Sequence, residues 1–349
     1  MSGFFYRLKP EDFRLRSKFG EIDNANVVDW PISYSDMEPY YTKAETEVGI
    51  SGHAVEHKFS EPRSTKDFPY PPTAEHPIVK KIDQACNELN FRSLQTPRAV
   101  LPYADKGRRG CEYSGFCGSY GCSSGAKGSS RAALLNRAVV TGRCEIRPHA
   151  KVFHLETNQA GRVSAAHYFD KEDNKQKVTA GLFVVACHAI DTSRLLLLST
   201  GPKHPEGLGN QHGQVGKNLV FSAGSTGSGD FVYSKLNKQD ADLMKTRGPF
   251  VNRGLQDWYF IEDGRFDGKA KGGTIDFLLR HPNAISRASA QKWDDNDKLV
   301  WGKVLQDKLK LAMTETQTLR FEVFCDWLPT DDCFVSLDPK VKDKWGTPV

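Results

Sequence analysis

The sequence has 349 residues, a length that predicts two or three domains rather than one compact unit. Apolar residues make up 38% and charged residues 26% of it, which is typical of a globular protein. The net charge of +5 comes with only short basic clusters, so no nucleic-acid partner is expected. No apolar run approaches the ~18 residues of a membrane-spanning helix, and the N-terminus lacks the pattern of a signal peptide.

The first regular element predicted along the chain is a helix in the stretch ISYSDMEPYYTKAETEVGISG. Ser35 is a suitable N-cap, and Glu38, three residues later, completes a capping box. Gly49 supplies the left-handed residue that ends the helix. After an irregular stretch rich in proline and charge, a second helix begins at Pro77, with Cys86 as a buried small residue.

A glycine- and serine-rich segment at 108–130, RRGCEYSGFCGSYGCSSGAKGSS, holds three cysteines within twelve positions: Cys111, Cys117 and Cys122. Thiolates are soft ligands that suit iron–sulfur clusters and zinc, and glycine lets the backbone wrap closely around a metal centre. A fourth zinc ligand is not obvious, although His149 or Cys144 is a candidate. The alternatives are three free thiols, or one disulfide between Cys117 and Cys122 with Cys111 left over.

The next segments predict a helix ending at Gly142, then a hairpin of AKVFHLETN and RVSAAHYFD. GLFVVACHA follows, a continuous apolar run that predicts a strand buried on both faces, and then a helix SRLLLLS capped by Asp191 or Thr192. In doubly wound sheets such a strand-to-helix turn contacts nucleotide cofactors. The turn at 186–192 is therefore a candidate cofactor contact.

From Asn218 onward the sequence predicts a mostly antiparallel sheet with one helix near 299–313. GSTGSG at 224–229 is interpreted as a flexible turn, because no helix pattern follows it as a phosphate loop requires. Neither His188 nor the loop dipeptide His281–Pro282 has a carboxylate nearby in sequence that would mark an acid–base pair.

Several stretches together resemble the glucose–methanol–choline (GMC) family of flavin oxidoreductases, in its branch of gluconate, fructose and glucose dehydrogenase-like large subunits. The stretches are DWPISYSDMEPYYTKAETEVGISG (29–52), CEYSGFCGSYGCSSGAKGSS (111–130), TGRCEIRPHAKV (141–152), VVACHAIDTSRLLLLSTG (184–201), GLGNQHGQVGKNL (207–219) and SLDPKVKDKWGTPV (336–349). The resemblance runs nearly end to end.

The resemblance implies an FAD-dependent enzyme that oxidises a CH–OH group of a sugar, sugar acid or related alcohol. The implied FAD contacts, mostly through backbone atoms, are Val152, Ala186, His188, Ala189 and Thr192. It further implies that Cys111, Cys117 and Cys122 hold an iron–sulfur cluster of the 3Fe-4S type. Electrons would then leave through a haem-containing acceptor subunit, and a small subunit is a further expected partner.

The implied fold is α/β (α+β): a partial, doubly wound FAD-binding domain plus a mostly antiparallel substrate-domain sheet flanked by helices. The expected division is 1–104 for a lid and substrate-side region, 105–217 for the FAD-binding part with the cysteine loop, and 218–349 for the substrate sheet.

Full-length members of the family also carry a glycine-rich dinucleotide fingerprint near their start and a late segment with the catalytic histidine. This sequence shows neither, so the resemblance implies an internal segment of such an enzyme. The catalytic histidine is expected beyond Val349, and no catalytic residue is assigned within the 349 residues.

Three positions depart from the family pattern. His188 stands where the family signature has a glycine, at the tight turn beside the flavin, and only glycine freely takes positive φ. Ser114 and Ser222 replace a cysteine and a histidine that are common in the branch. Two alternatives to an active enzyme segment stay open: a non-catalytic iron–sulfur or subunit-interaction module, and a degenerate, truncated product with exposed apolar surface.

Overall fold

The computed structural model describes residues 3–115, 117, 120–268, 270–280 and 283–349. The α-helices within these ranges are α1 (Leu15–Phe19), α2 (Tyr34–Val48), α3 (Val79–Glu88), α4 (Asn136–Val140), α5 (His188–Leu198), α6 (Lys238–Met244), α7 (Ala284–Ala290) and α8 (Gly302–Lys310). Short 3-10 turns occupy Pro10–Arg14, Tyr233–Lys235 and Arg265–Gly268, and π turns occupy Arg131–Leu135 and Leu311–Glu315. None of the helices described here is long and apolar enough to cross a bilayer.

The strands described are β1 (Ser93–Leu94), β2 (Lys151–Thr157), β3 (Val163–Phe169), β4 (Lys175–Thr179), β5 (Ser222–Ala223), β6 (Thr226–Val232), β7 (Gly254–Leu255), β8 (Phe260–Ile261), β9 (Ala270–Lys271), β10 (Gly273–Leu279) and β11 (Thr316–Asp326). Each ladder that joins two of these strands is antiparallel. The mixed α and β class expected from the sequence, with its antiparallel sheet, is confirmed.

The described residues divide into two compact units. The larger unit comprises the ranges 1–19, 29–143 and 222–326, and the smaller unit comprises 20–28, 144–221 and 327–349. The three-part division expected from the resemblance stays a prediction.

The larger unit is built on a sheet with the strand order β1-β7-β10-β11-β5, in which β6 also pairs with β11. β11 is the longest strand, and it pairs along its length with β10 on one side and β6 on the other. The interpretation of 224–229 as a turn is therefore wrong over most of its length. Thr226 and the residues after it form β6, because their backbone groups find a continuous partner in β11.

Helix α3 lies in this unit, and Ile78 before it forms a buried core with Val79, Ile82 and Cys86 of the helix. Met244, Val251 and Leu255 complete that core. The helix predicted from Pro77 is confirmed, with its regular part beginning at Val79. Cys86 is buried, as predicted.

Helix α2 is confirmed, but its N-terminal cap lies earlier in the chain than predicted. Ser33 is the N-cap, and its hydroxyl accepts a hydrogen bond from the Asp36 N–H at 3.3 Å. Glu38 does not close a capping box because its carboxylate binds Arg7 and Ser64 instead. The C-terminal end agrees with the sequence: Gly49 has φ 84°, in the left-handed region.

The smaller unit contains the three-stranded sheet β2-β3-β4, with helix α5 packed against β2. Leu155, Ala166 and Leu195 form its buried core. The predicted hairpin is confirmed as β2 and β3, while the strand β4 was not predicted, since its sequence, KQKVT, is mostly polar. A polar edge strand needs only one apolar contact, here through Val178.

The buried strand predicted at 181–189 is not formed. Residues 182–186 lie in no strand, and the side chains of Leu182 and Val184 are 81% and 82% exposed. The alternate residues Phe183 and Val185 pack against the core of the smaller unit. The apolar run therefore covers the core with one face only, and no described strand of this unit pairs with it.

Candidate functional site

The corner between residues 186 and 192 lines an open cleft of about 600 Å³ in the smaller unit. Four of the five residues predicted to contact a cofactor line it: Ala186, His188, Ala189 and Thr192. The opposite wall is formed by residues 216–220 and Val335. The backbone N–H groups in the first turn of α5 have no partner within the helix, so they are available to an anion in the cleft.

Local hydrogen bonds shape this corner. The Cys187 N–H donates to Thr192 Oγ1 at 3.1 Å, which ties the residue before α5 to its first turn. The sequence predicts a helix capped by Asp191 or Thr192, and this is wrong: α5 begins earlier, at His188. Ala186 and Ala189 present only methyl groups to the cleft, so a ligand has close access to the backbone there.

His188 has φ 61°, in the left-handed region. The resemblance to the family signature, which has a glycine here, predicts a tight turn at this position. The backbone does adopt a glycine-like conformation, although the residue is a histidine. A residue with a Cβ in this conformation costs roughly 1–2 kcal/mol. The imidazole also lines the cleft, where a glycine would leave space.

Replacing His188 by glycine is expected to raise the free energy of unfolding by about 0.5–1 kcal/mol, since relief of the left-handed strain exceeds the added chain entropy of glycine. Urea unfolding followed by circular dichroism measures the change. The matched control is Ala189→Gly, the next residue in α5, which is expected to lose about 1 kcal/mol. Equal destabilisation by both changes would contradict this account of His188.

Val152 is placed differently from the other predicted contacts. It lies on β2 and packs, partly buried, against the core around Leu155, Ala166 and Leu195. It does not line the cleft at 186–192 among the described residues. Its predicted contact with the cofactor stays a prediction.

The cysteine loop is held to the larger unit by one buried arginine. Arg108 donates to the carbonyl oxygens of Val48, Gly125 and Ala126, at the C-terminal end of α2 and in the loop itself. The Cys111 N–H donates to the Leu101 carbonyl at 2.9 Å. These bonds fix both flanks of the loop. Phe116, Gly118 and Ser119 lie outside the described residues.

All eight cysteines are free thiols, so the alternative of a disulfide between Cys117 and Cys122 is not realised. Burial raises the pKa of Cys111 and of Cys117, and each of their thiolates would also repel that of Cys122. Burial opposes ionisation of Cys122 too, but hydrogen bonds from Ser124 and the Lys127 N–H outweigh it and lower its pKa. A metal ion binds the ionised thiolate form of cysteine, and these surroundings favour ionisation of only one of the three thiols, that of Cys122.

The residues as placed do not fit an iron–sulfur cluster. Within the part of the chain that the structure describes, no three His, Cys, Asp or Glu side chains come together as a group able to hold a metal ion. The three thiols do influence one another electrostatically, so the fold brings them into one region.

A cavity of about 640 Å³ lies in the larger unit, where Gly115 and Cys117 of the cysteine loop form part of its wall. Four arginines line it, and we call it the arginine cavity: Arg98, Arg247, Arg280 and Arg320. Sequence reasoning missed this site, because its residues come from separate stretches of the chain and no local motif marks them.

Tyr6, which lines the arginine cavity, belongs to a polar cluster with the buried residues Thr96 and Asp276. The Tyr6 hydroxyl donates to Asp276 Oδ1 at 2.5 Å, and the Thr96 hydroxyl donates to the same oxygen at 3.2 Å. The pKa of Asp276 is raised to about 6, chiefly by burial and in smaller part by the charge of Glu322, its cross-strand partner on β11. Arg98 lies near the pair and attracts the carboxylate.

His76 also lines the arginine cavity, but both nitrogens of its ring are engaged. The Ile78 N–H donates to Nδ1 at 3.0 Å, so the proton is on Nε2, which donates to the Thr246 carbonyl at 3.2 Å. Burial lowers the pKa of this histidine. His76 is therefore a neutral structural residue, and His281–Pro282 lies outside the described residues.

Val349, beyond which the resemblance places the catalytic histidine, belongs to the smaller unit. Its N–H donates to the Val341 carbonyl at 3.1 Å, and its carbonyl accepts from the Asp338 N–H at 2.8 Å. These two bonds hold the 338–349 stretch in a closed loop. The position of the catalytic histidine after Val349 stays a prediction.

Comparison with known proteins identifies the family. A family model described as GMC oxidoreductase matches residues 25–222. The chain belongs to the GMC oxidoreductase family. This match includes the cysteine loop and the corner at 186–192, and the resemblance noted in the sequence is confirmed.

Three similar proteins are named as an oxidase of paromamine and as dehydrogenases of fructose and gluconate. The chain is 30% identical over 264 residues to paromamine 6'-oxidase of Streptomyces fradiae, covering 75% of this chain and 46% of the relative. It is 28% identical over 231 residues to the fructose dehydrogenase large subunit of Gluconobacter japonicus, covering 63% and 39%. It is 25% identical over 277 residues to the gluconate 2-dehydrogenase flavoprotein of Pantoea cypripedii, covering 72% and 43%. The chain thus spans less than half the length of these relatives.

Proposed function

We propose that the chain forms part of an FAD-dependent dehydrogenase that acts on a CH–OH group of a sugar, sugar acid or related alcohol. The observation that carries the proposal is the cleft at 186–192. Its corner lies inside the segment matched by the GMC family, and four of the residues that the family resemblance assigns to FAD line it. Bound FAD supplies the acceptor for the hydride that leaves the substrate carbon.

The corner residues fit a nucleotide cofactor by their chemistry. The free N–H groups at the start of α5 stabilise negative charge, as phosphate groups carry. Ala186 and Ala189 keep the approach to those groups open, and the bond between Cys187 and Thr192 holds the turn in place. His188 is the residue that fits least well, because its imidazole takes up space in the cleft.

Filling the cleft is expected to abolish flavin binding. We expect the purified protein to bind added FAD, and Ala189→Trp to weaken that binding at least about tenfold, equivalent to ~1.4 kcal/mol, because the indole occupies the cleft. Quenching of FAD fluorescence during titration measures the affinity. Ile190→Trp is the matched control: Ile190 is the next residue of α5, does not line the cleft, and is 48% exposed.

Two outcomes would contradict the assignment. If the unsubstituted, folded protein binds no FAD, the chain does not form a flavin site by itself. If Ala189→Trp and Ile190→Trp bind FAD equally well, the flavin lies elsewhere than in the cleft at 186–192.

We propose further that this 349-residue chain does not turn over substrate by itself. Removal of a hydroxyl proton needs a base within hydrogen-bond reach of the substrate. Among the described residues lining the arginine cavity, the one histidine has both ring nitrogens occupied. Asp276, which accepts two hydrogen bonds through Oδ1, is fully buried and does not line the cavity.

The iron–sulfur cluster is the part of the sequence prediction with the least support. The mutual electrostatic influence of Cys111, Cys117 and Cys122 favours it, while their placement and two raised pKa values oppose it. Iron and acid-labile sulfide are to be measured after anaerobic reconstitution, with Cys122→Ser compared with Cys187→Ser, an exposed cysteine outside the loop. Iron lost in Cys122→Ser but retained in Cys187→Ser supports a cluster, and no bound iron in the unsubstituted protein refutes it.

The similarity to named relatives also supports a proposal of partner subunits. One relative is named as a large subunit, which supports assembly with another subunit in this chain as well. The haem-containing acceptor and the small subunit expected from the resemblance are the candidates. The substrate is proposed to be a small molecule, a polyol or sugar.

A further inference from the structure

The arginine cavity carries more positive charge than its own carboxylates neutralise. Among its described lining residues are Arg98, Arg247, Arg280 and Arg320, against one carboxylate, that of Glu322. Arg98 is buried and lies near Asp276, which offsets its charge. The other three arginines, Arg247, Arg280 and Arg320, share the cavity with one lining carboxylate, that of Glu322.

Strand alternation places two of these arginines on one face of the sheet. Alternate residues of a strand point to the same side, so Arg320 and Glu322 share a face of β11. Arg280 directly follows β10, and its N–H donates to the Thr318 carbonyl of β11, so it continues the face of Leu278. Arg320 is directly opposite Leu278 across the ladder, which makes Arg280 its diagonal neighbour. The two guanidinium groups therefore project toward the same part of the cavity.

These arginines have weak internal partners. Arg247 donates to the carbonyl oxygens of Met244 and Thr246, both neutral. Arg320 approaches Glu322 at 3.9 Å, which is too long for a hydrogen bond. In the described part of the chain no carboxylate forms an ion pair with Arg247 or Arg280. Burial lowers the pKa of the nearby Arg287, and the charges of Arg280 and Arg247 lower it further, so this corner holds cations that repel one another.

The remaining wall is mostly aromatic, and its rings pack against Arg98 and against one another. The guanidinium of Arg98 lies 4.7 Å from the ring centres of both Phe4 and Phe250, and it donates to the Val251 carbonyl at 2.8 Å. Phe4 in turn packs edge-on against Phe324 at 6.2 Å. A cavity with an apolar side and a cationic side suits a small organic anion better than a neutral polyol or an inorganic ion.

We propose that the arginine cavity binds a small polyhydroxylated anion, a sugar acid or a sugar phosphate, with its charged group against Arg247, Arg280 and Arg320. As an assignment of the substrate class it rests on the proposed function, but the binding itself requires no flavin. An arginine places two donors in the plane of a carboxylate or phosphate, so each lost contact of this kind has a measurable effect.

The test is isothermal titration of the full 349-residue protein, without flavin, using gluconate, glucose 6-phosphate and glucitol as probes. We expect at least one of the two anions to bind at least about tenfold more tightly than neutral glucitol, and Arg280→Gln or Arg320→Gln to weaken that anion about tenfold, as expected for a charge-assisted hydrogen bond. The ratio of gluconate to glucose 6-phosphate affinity distinguishes a carboxylate from a phosphate as the natural charged group. The matched control is Arg143→Gln, an exposed arginine outside the cavity, which should leave both affinities unchanged.

Equal binding of glucitol and the two anions, or no binding of either anion, would overturn the proposal. Equal weakening by Arg143→Gln and Arg280→Gln would also overturn it, because the anions would then respond to net charge alone. Circular dichroism of each variant confirms folding, and exposed Arg320 gives a variant whose fold is not at risk. FAD binding with no anion binding would leave the flavin function in place, and anion binding with no FAD binding would leave this proposal in place.

Discussion

Replacing Glu45 by alanine is expected to lower the free energy of unfolding by about 3–5 kcal/mol, because the change breaks a buried ion pair and leaves two buried guanidinium groups with one carboxylate fewer beside them. Glu45 is 1% exposed on α2. Arg7 binds it in a bidentate manner, with Nε 2.7 Å from Oε1 and Nη2 2.9 Å from Oε2. Arg63 also pairs with both carboxylate oxygens. One carboxylate therefore joins the N-terminal segment, α2 and the irregular stretch that follows.

The measurement is urea unfolding, with Glu47→Ala as the matched control on the same helix. Glu47 pairs with Arg137 in a salt bridge whose side chains are 38% and 48% exposed, and such pairs contribute about 0–1 kcal/mol. A loss below about 1 kcal/mol for Glu45→Ala, similar to the control, would show that water reaches the cluster and that its charges are not buried.

Replacing Asp276 by asparagine is expected to change the pH dependence of stability by about 3 kcal/mol. Burial raises the pKa of this carboxyl from 3.8 to about 6, and each unit of pKa difference between the folded and unfolded states corresponds to about 1.4 kcal/mol. Because the folded-state pKa is the higher one, the folded protein holds the proton more tightly. Its contribution to stability is present below about pH 4 and is lost as the pH rises through about 6.

Asparagine cannot ionise, so Asp276→Asn lacks this loss while its side-chain oxygen still accepts from the Tyr6 hydroxyl. Urea unfolding at intervals from about pH 4 to about pH 7.5 should show the substituted protein gaining on the unsubstituted one as the pH increases. Asp242→Asn is the control, since Asp242 is exposed on α6. Parallel stability curves for Asp276→Asn and the unsubstituted protein would show that the carboxyl has an ordinary pKa.

Local signals in the sequence predicted the elements that local physics determines. Gly49 ends α2 in the left-handed conformation, and the hairpin of β2 and β3 follows its alternating pattern. The capping box that the sequence predicts between Ser35 and Glu38 does not form, because Glu38 binds Arg7, a residue 31 positions away, and Ser33 caps α2 instead. A local rule was overridden there by a long-range ion pair.

In the candidate site, too, local features could be predicted from the sequence and long-range contacts could not. His188 was marked by its departure from a glycine position, and its φ of 61° agrees with that reading. The arginine cavity had no sequence signal, because Arg98 and Arg320 are far apart along the chain and meet only through the sheet. The buried Glu45 cluster was missed for the same reason, since nothing in a single sequence pairs Arg7 with Glu45.

The run at 182–186 shows where apolar composition is an incomplete guide. Continuous apolar residues predicted burial on two faces, whereas the smaller unit covers only the face of Phe183 and Val185. Strand assignment depends on a hydrogen-bonded neighbour, and the side-chain pattern of one segment does not supply that neighbour.

The same run has a practical consequence for work with the protein in solution. Residues 182–186 lie in no strand, and with the exposed side chains of Leu182 and Val184 they can template intermolecular β-pairing when molecules are crowded. This stretch is therefore expected to contribute to precipitation at high concentration. Replacing Val184 by lysine is expected to reduce such pairing, because a charged side chain on an unpaired edge opposes association of strands. The packed side chains of Phe183 and Val185 stay unchanged.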